Sequence, residues 1–350
     1  MKLFVLAPEI TENHTALAFL PTWIRKIADN VDELTIFTLN YDENTWFPEN
    51  VSVYCPPRGN RFRFFFYIHY YIFKNVWWSD EVFSLMYPIL TIWASRFTRL
   101  FNKPLVMWYA HGAVSDRMKK AHKLCTMAVT SSAAGFRLKS DKLRIIGQAI
   151  DTNKFIPGEV KSDKIKIMYL GRISKVKGIG HMIRAADILV NKEKVSKLEF
   201  EIVGDITSET EREYLESLKN LTIKLNLENY INFTGKVPFT NIENVYQSCN
   251  IFVNPSNTGS LDKTVLEAMS CGKIVITCNE AYYKIFPDDV KEHCYFVPED
   301  YEELAEKIKM NILTPNKDLE LRLREIVVKD HSLDRWVKNL MDVFKEIYRK

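Results

Sequence analysis

The sequence lacks the cysteine spacings that form metal sites or disulfide frameworks. Among its 350 residues there are six cysteines, with no CxxC pair and no histidine–cysteine ligand cluster. They are Cys55, Cys125, Cys249, Cys271, Cys278 and Cys294. Because disulfide-rich and zinc-binding proteins show characteristic cysteine spacings, we expect reduced thiols in a cytoplasmic protein.

Long hydrophobic runs are missing as well. The longest charge-free apolar stretch of the aromatic-rich region is Val82–Ser95, which has 14 residues and is interrupted by Pro88. A helix that crosses a bilayer needs about 20 residues. Residues 1–10 fit a first β-strand and lack the basic region, apolar core and cleavage site of a signal peptide. We therefore expect no transmembrane insertion.

The composition is that of a folded enzyme, with 47% hydrophobic and 26% charged residues. A chain of this length suits two domains. Short apolar strands alternate with longer helical segments in both halves, as in parallel βαβ units. The predicted strands are 2–7, 33–39, 51–55, 81–85, 105–109, 127–130, 143–146, 164–169, 198–203, 231–234, 251–254, 274–277 and 294–297.

The polar stretch 151–161 contains a Pro-Gly pair and interrupts both periodicities, so it marks the junction. We predict an α/β protein of two Rossmann-like domains. The first covers residues 1–158 and the second covers residues 159–330. A final amphipathic helix, about 331–350, is expected to pack back on the first domain.

The charge is unevenly distributed. The chain carries a formal net charge of +4, yet residues 58–144 hold 15 basic and 4 acidic residues, a net +11. That region includes the aromatic run 61–78. A basic, aromatic half indicates an anionic partner, either a membrane surface or a polyanion. Helices over 64–73 and 89–101 could lie on a membrane or pack against the N-terminal sheet, and no nucleic-acid recognition motif accompanies the charge.

Residues 251–276 are the most informative stretch. They predict a buried strand, a polar loop with a glycine, a short helix that carries Glu267, and a second buried strand. Open α/β sheets bind ligands at the carboxyl ends of their strands, and helix N-termini stabilise phosphate. We therefore expect phosphate at the helix start, and Glu267 one turn further in, within reach of ribose hydroxyls.

Residues 169–178 follow the first strand of the second domain. Gly171 allows close backbone approach to a ligand, and Arg172 and Lys177 add two cations at the carboxyl end of the sheet. Fixed cations stabilise the charge that develops on a departing pyrophosphate. In isolation, a solvated basic loop before a helix explains the same residues.

The order of these motifs resembles family 4 glycosyltransferases of the GT-B fold. The resemblance implies two Rossmann-like domains facing across a cleft, with a nucleotide-sugar held by the second. It places diphosphate contacts at Arg172 and Lys177, a ribose contact at Glu267, and backbone contacts to the base at Gly235, Lys236 and Val237. The full set of implied donor contacts is Gly171, Arg172, Lys177, Gly235, Lys236, Val237, Gly259, Ser260, Asp262, Lys263, Thr264, Val265, Leu266 and Glu267.

The first domain shares the resemblance. Residues 129–157 match the serine-containing turn and the crossover of the family. His111 follows a buried strand, where relatives keep a histidine beside the transferred sugar, although a single histidine is otherwise more often structural. The resemblance makes His111, Arg172 and Lys177 the candidate catalytic residues.

The sequence departs from the family at two loops. Many members carry a glutamate eight residues before the helix glutamate, and Gly259 stands there instead. Asp262 could supply the missing carboxylate and Lys263 a phosphate contact, or Asp262 could cap the helix. The loop after the first strand, residues 8–16, lacks the usual glycines, and Asn13 and His14 are its candidate acceptor contacts.

The family transfers sugars with retention and without a metal, and the sequence contains no clear DxD-type site. We expect no cofactor beyond the donor. Retention by double displacement needs a carboxylate nucleophile. The residue expected at that place is His111, which is a poor nucleophile for this step. We therefore expect a front-face reaction, in which the acceptor attacks on the side from which the diphosphate leaves. The acceptor is expected to be a lipid-linked or other saccharide, reached from the cytoplasmic face of a membrane. A nucleotide-sugar epimerase and a non-catalytic nucleotide-sugar-binding protein remain alternatives.

Overall fold

The computed structural model describes residues 1–12, 17–57, 59–257 and 259–348. The chain divides into two compact units. One consists of Met1–Ala149 with Ser332–Lys350, and the other of Ile150–His331. The second unit begins nine residues earlier than the sequence predicts. A backbone hydrogen bond of 2.8 Å from the Ile150 N–H to the His331 carbonyl joins the two ends of this unit.

The first unit contains a parallel sheet with helices in its connections. Its elements are β1 (Lys2–Ala7), α1 (Leu20–Ala28), β2 (Glu33–Thr38), β3 (Val51–Tyr54), α2 (Arg61–Trp78), β4 (Glu81–Leu85), α3 (Pro88–Leu100), β5 (Leu105–Trp108), α4 (Asp116–Leu124), β6 (Met127–Thr130), β7 (Leu143–Ile145) and the C-terminal helix Leu333–Tyr348. The strand order is β3-β2-β1-β4-β5-β6-β7. The inner strands are buried apolar runs, as expected of a sheet covered on both faces.

Three tryptophans hold the C-terminal helix against the first sheet. Trp336 lies 4.6 Å from Trp23 and 5.4 Å from Trp108, measured between ring centroids, and all three rings are buried. The Trp23 indole N–H donates to the Ala149 carbonyl at 2.9 Å. Because the helix supplies one of three interlocking rings, it is an integral part of the first core.

We predict that Trp336→Ala lowers the free energy of unfolding by about 3–5 kcal/mol, because it removes a fully buried ring and leaves a cavity. Thermal and denaturant melts measure this effect. The control is Trp46→Ala, because Trp46 is 67% exposed and its loss, including the contact of its ring with Arg25, should cost at most about 1 kcal/mol. Equal destabilisation by both substitutions would contradict the packing role of Trp336.

The second unit contains another parallel sheet. Its elements are β8 (Ile165–Leu170), α5 (Ile179–Asp187), β9 (Leu198–Val203), α6 (Glu209–Lys224), β10 (Ile231–Gly235), α7 (Ile242–Gln247), β11 (Ile251–Asn254), α8 (Lys263–Ser270), β12 (Ile274–Thr277), α9 (Glu280–Ile285), α10 (Asp288–Cys294), α11 (Tyr301–Leu313) and α12 (Lys317–Asp330). The strand order is β10-β9-β8-β11-β12. The order reverses between β8 and β11, which makes this the topological switch point.

The predicted strand over residues 294–297 is wrong. Cys294 ends α10, which begins after Pro287, and beyond it only Tyr295 forms an isolated bridge, to Thr277. The helix is short, with two aspartates in its first turn and a lysine and a histidine in its last. These charges stabilise a helix through its dipole. The apolar residues after Cys294 instead favoured a strand in the sequence analysis.

Within the described ranges, no helix is long and apolar enough to cross a membrane. The predicted helices 64–73 and 89–101 correspond to α2 and α3, which are both present. Ile68, Ile72 and Val76 of α2 are buried in the core of the first unit. Of the two alternatives given for this region, packing against the N-terminal sheet therefore holds for one face of α2.

Candidate functional site

The candidate site lies at the switch point of the second sheet. The loop 171–178 follows β8, and the loop 255–262 follows β11, its neighbour in the sheet. Both loops start at the carboxyl ends of parallel strands, so they lie side by side. Ligands of open α/β sheets bind at such a crevice. The fold therefore brings together two segments that the sequence separates by more than 80 residues.

Gly178 makes the close packing of these two loops possible. Its φ is +65°, and a Cβ atom there would lie 2.3 Å from the Pro255 carbonyl oxygen. A side chain would meet backbone that cannot move aside easily, in a conformation that glycine favours. The glycine thus fixes the position of Lys177, the residue before it.

Lys177 and Asp262 form the centre of the site. The lysine Nζ lies 3.1 Å from both carboxylate oxygens of Asp262. Asn254, the last residue of β11, donates its side-chain N–H to the same carboxylate at 3.1 Å, and the Tyr282 hydroxyl donates to the Asp262 carbonyl at 2.6 Å. The lysine and the aspartate side chains are 19% and 16% exposed. The ammonium group of Lys177 is therefore held in place beside the carboxyl ends of β8 and β11.

Asp262 occupies the position before the first residue of α8, but its side chain makes no capping hydrogen bond. The carboxylate instead binds Lys177 and Asn254. The capping interpretation is therefore wrong, because a neighbouring cation binds the carboxylate more strongly than a backbone N–H does. Phosphate was expected to bind at the start of α8, where Val265 is one of the implied donor contacts. In the structure, the Val265 N–H donates to the Asp262 carbonyl at 3.2 Å.

Glu267 lies one turn into α8, four residues after Lys263. The Tyr246 hydroxyl donates to Glu267 Oε2 at 2.6 Å, and both side chains are buried. Burial raises the pKa of Glu267, while the Tyr246 hydrogen bond and Lys263 oppose that shift. Burial lowers the pKa of Lys263 to about 7, and the charge of Glu267 opposes it. The carboxylate is thus oriented by the Tyr246 hydrogen bond, and the charge of Lys263 acts on it.

Arg172 is the second residue of the loop 171–178. Its Nε is 3.3 Å from Glu211 Oε1 of α6, and its side chain is 50% exposed. Its carbonyl accepts a hydrogen bond of 2.9 Å from the Tyr169 hydroxyl. The guanidinium therefore has an acidic partner and access to solvent.

The remaining second-unit residues lie at the carboxyl ends of β10 and β11. Gly235 ends β10 with φ +79°, Lys236 is exposed, and Val237 is half-buried. Gly259 is buried, and the carbonyl of the next residue, Ser260, accepts from the Asn279 side chain at 2.8 Å. Thr264 and Leu266 belong to the first turn of α8.

His111 belongs to the first unit, three residues beyond the end of β5. Its backbone N–H donates to the Gly135 carbonyl at 2.9 Å, and its Nδ1 accepts from the Ala113 N–H at 3.0 Å. The ring is exposed. Because Nδ1 is an acceptor, the neutral ring carries its proton on Nε2. The expected acceptor contacts Asn13 and His14 lie outside the described residues.

Four partner residues were not predicted from the sequence. Asn254, Tyr246, Tyr282 and Asn279 each bind a predicted site residue. A signal for Asn254 was present, because it is a polar side chain at the end of an otherwise apolar buried strand. Across the parts of the chain that the structure describes, no three His, Cys, Asp or Glu residues form a potential metal cluster.

The comparisons with known proteins converge on one family. Residues 151–326 match the family model for "Glycosyl transferases group 1". The chain is 33% identical over 140 residues to an uncharacterized glycosyltransferase of Methanocaldococcus jannaschii, covering 40% of this chain and 32% of that protein. It is 23% identical over 223 residues to a D-inositol 3-phosphate glycosyltransferase of Saccharomonospora viridis, covering 60% of this chain and 50% of that protein. These matches span about a third to a half of the relatives.

A solved structure of HepE from Anabaena in complex with UDP has a TM-score of 0.80 to this chain at 15% identity. The match covers 99% of this chain and all of that one. Likeness at this identity is evidence for the fold. The predicted GT-B fold with two Rossmann-like α/β domains is thereby confirmed.

Proposed function

The chain belongs to the glycosyl transferases group 1 family, and we propose that it transfers a hexose from a nucleoside-diphosphate sugar to a hydroxyl of an acceptor. The observation that carries the proposal is the Lys177–Asp262 pair at the switch point, beside the start of α8 and one turn from Glu267. A cation, a helix start and an oriented carboxylate match the diphosphate and ribose of such a donor.

We assign the diphosphate to Lys177 and Arg172. Lys177 is already oriented by Asp262, so binding requires little reordering of its side chain. The ribose hydroxyls are assigned to Glu267, whose carboxylate would accept hydrogen bonds from them, and the base to the backbone of 235–237. Asp262 is assigned to the sugar, because its carboxylate stands in the loop where Gly259 replaces the glutamate of many relatives.

The reaction we propose retains the anomeric configuration and needs no metal, as in the family that the sequence resembles. The bond between the sugar C1 and the diphosphate oxygen breaks, and the diphosphate leaves with the electron pair. The acceptor oxygen bonds to C1 on the same face, and its proton passes to the departing diphosphate. Lys177 and Arg172 stabilise the charge of the leaving group, and His111 contacts the sugar.

For the acceptor we propose a lipid-linked saccharide or another precursor of a cell-envelope polysaccharide, used by a cytoplasmic enzyme at the inner face of the membrane. The support is the basic, aromatic first unit, with 15 basic and 4 acidic residues over 58–144. An acceptor that carries phosphate would be attracted to such a surface.

A thermal-shift screen against UDP-, GDP- and ADP-sugars tests the donor assignment. A ligand that binds the native state raises the melting temperature, and a concentration of 100 times Kd adds about 2.7 kcal/mol of stability. We expect one base to dominate, and Glu267→Gln to lose most of that shift. If no nucleotide-sugar raises the melting temperature, the donor site is wrong. A shift without transfer to any acceptor would favour the non-catalytic alternative.

A further inference from the structure

The outer face of α2 is aromatic where a surface helix normally carries polar side chains. Ile68, Ile72 and Val76 face the core of the first unit, with at most 2% of their surface exposed. The rest of the helix surface exposes large apolar rings. They are Phe65 at 55%, Phe66 at 69%, Tyr67 at 41%, Tyr70 at 59%, Phe73 at 42% and Trp77 at 66%.

Four of these rings form a continuous stripe, which we call the aromatic stripe: Phe66, Tyr70, Phe73 and Trp77. Their spacing of four, three and four residues places them on one side of the helix. With a rise of 1.5 Å per residue, the stripe runs for about 16 Å. An open groove of about 810 Å³ adjoins its first half and is lined in part by Arg63, Phe66 and Tyr70. Exposed apolar patches of this kind mark interaction sites.

The charge around the aromatic stripe is positive. The sequences of α2 and α3 contain five basic residues and no acidic residue: Arg61, Arg63, Lys74, Arg96 and Arg99. The side chains of Arg63, Lys74, Arg96 and Arg99 are exposed. The two helices pack together through Phe73 and Phe97, whose ring centroids are 5.7 Å apart. Exposed cations therefore lie on both helices of this packed pair.

We propose that the aromatic stripe, with Arg96 and Arg99, docks on an anionic lipid bilayer. Tyrosine and tryptophan rings are favoured at the boundary between headgroups and acyl chains, and lysine and arginine bind anionic headgroups within a Debye length. The rings supply the apolar contact and the cations supply the attraction to the surface.

The charge also argues against other occupants. Two copies of this chain would bring two helix pairs together whose sequences are basic and contain no acidic residue, and like charges facing each other are unfavourable. A soluble polyanion would satisfy the arginines and leave the exposed rings in water. An anionic bilayer matches both the rings and the arginines. The docking surface rests on the membrane location proposed above for the acceptor, and it names the residues that would make the contact. It uses none of the donor residues, so it can fail while the donor assignment stands, and the reverse.

Vesicle flotation tests the proposal with the full chain. The vesicles contain phosphatidylcholine alone or phosphatidylcholine with about one third phosphatidylglycerol. The wild type should float with the anionic vesicles, and binding should weaken strongly at high salt. The variant Phe66→Ser/Tyr70→Ser/Trp77→Ser should lose at least about tenfold in partitioning. Phe73 is left intact because it also packs against Phe97 and Phe101.

The variant Arg96→Gln/Arg99→Gln should lose about fivefold per residue on anionic vesicles. The control is Leu313→Ser/Leu321→Ser in the second unit, where the two side chains are 68% and 65% exposed. It should bind vesicles as the wild type does. Circular dichroism melts confirm that each variant is folded.

Three results would overturn the proposal. The first is a wild type that does not float with anionic vesicles. The second is an aromatic triple variant that binds as well as the control. The third is a dimer in sedimentation velocity that the triple variant abolishes while vesicle binding persists, because the stripe would then be an interface between copies.

Discussion

Replacing Lys177 by alanine lowers kcat/KM for sugar transfer about 100- to 1,000-fold, the usual effect of removing one preorganised group that stabilises transition-state charge. Lys177 is held by both oxygens of Asp262 before any donor binds. Its removal takes away the cation and leaves the Asp262 charge to repel the incoming diphosphate. Steady-state kinetics with the donor identified by thermal shift measure the loss.

The matched control for this substitution is Lys175→Ala. Lys175 lies in the same short 3-10 turn, Lys175–Lys177, and its side chain is exposed. Its loss should change transfer less than about twofold, since exposed charges contribute little. The double variant Lys177→Ala/Asp262→Asn should recover part of the affinity for the nucleoside diphosphate without its sugar, because it removes the charge that repels the diphosphate. Wild-type turnover in a folded Lys177→Ala variant would contradict the role of this lysine.

Glu267→Gln should weaken nucleotide binding about 10- to 100-fold, because hydrogen bonds to a charged group contribute about 1.5–3 kcal/mol each. The loss should be specific to the ribose. Wild type should bind the nucleotide more tightly than its 2′,3′-dideoxy analogue, and Glu267→Gln should bind the two alike. Calorimetric titration of both nucleotides gives this comparison.

The variant Tyr246→Phe separates the orientation of Glu267 from the contact that Glu267 makes with the ribose. It removes the hydroxyl that donates to Glu267 at 2.6 Å but keeps the ring that packs 5.7 Å from Phe252. We expect a loss of nucleotide affinity smaller than that of Glu267→Gln, with discrimination against the dideoxy analogue reduced but present. Full discrimination by Glu267→Gln would contradict the ribose assignment.

The backbone of the site was predictable because its signals are local. Strands β8 and β11 are apolar runs that end in polar loops, and Gly171 and Gly178 mark places where the chain needs a backbone conformation that glycine favours. These features follow from residue type and order. The family resemblance then supplied the pairing of the two loops.

The side-chain partners were not predictable, because each depends on two distant segments meeting. Lys177 and Asp262 are 85 positions apart, and Tyr246 and Glu267 are 21 apart. Nothing in either local sequence indicates which acceptor a lysine or tyrosine will find. The same limit applies to α2, where the aromatic composition was evident but the outward direction of Phe66, Tyr70 and Trp77 depends on which face packs on the sheet.

The most direct test of the donor site is a thermodynamic cycle between Lys177 and the β-phosphate. Calorimetry would measure the affinity of wild type and of Lys177→Ala for UDP and UMP, and for GDP and ADP and their monophosphates. The ratio of the diphosphate affinity to the monophosphate affinity is then compared between the two proteins. The proposed site predicts that wild type prefers the matching diphosphate by at least about tenfold, equal to 1.4 kcal/mol, and that the variant loses most of this preference. An unchanged ratio in the variant would contradict the placement of the diphosphate at Lys177.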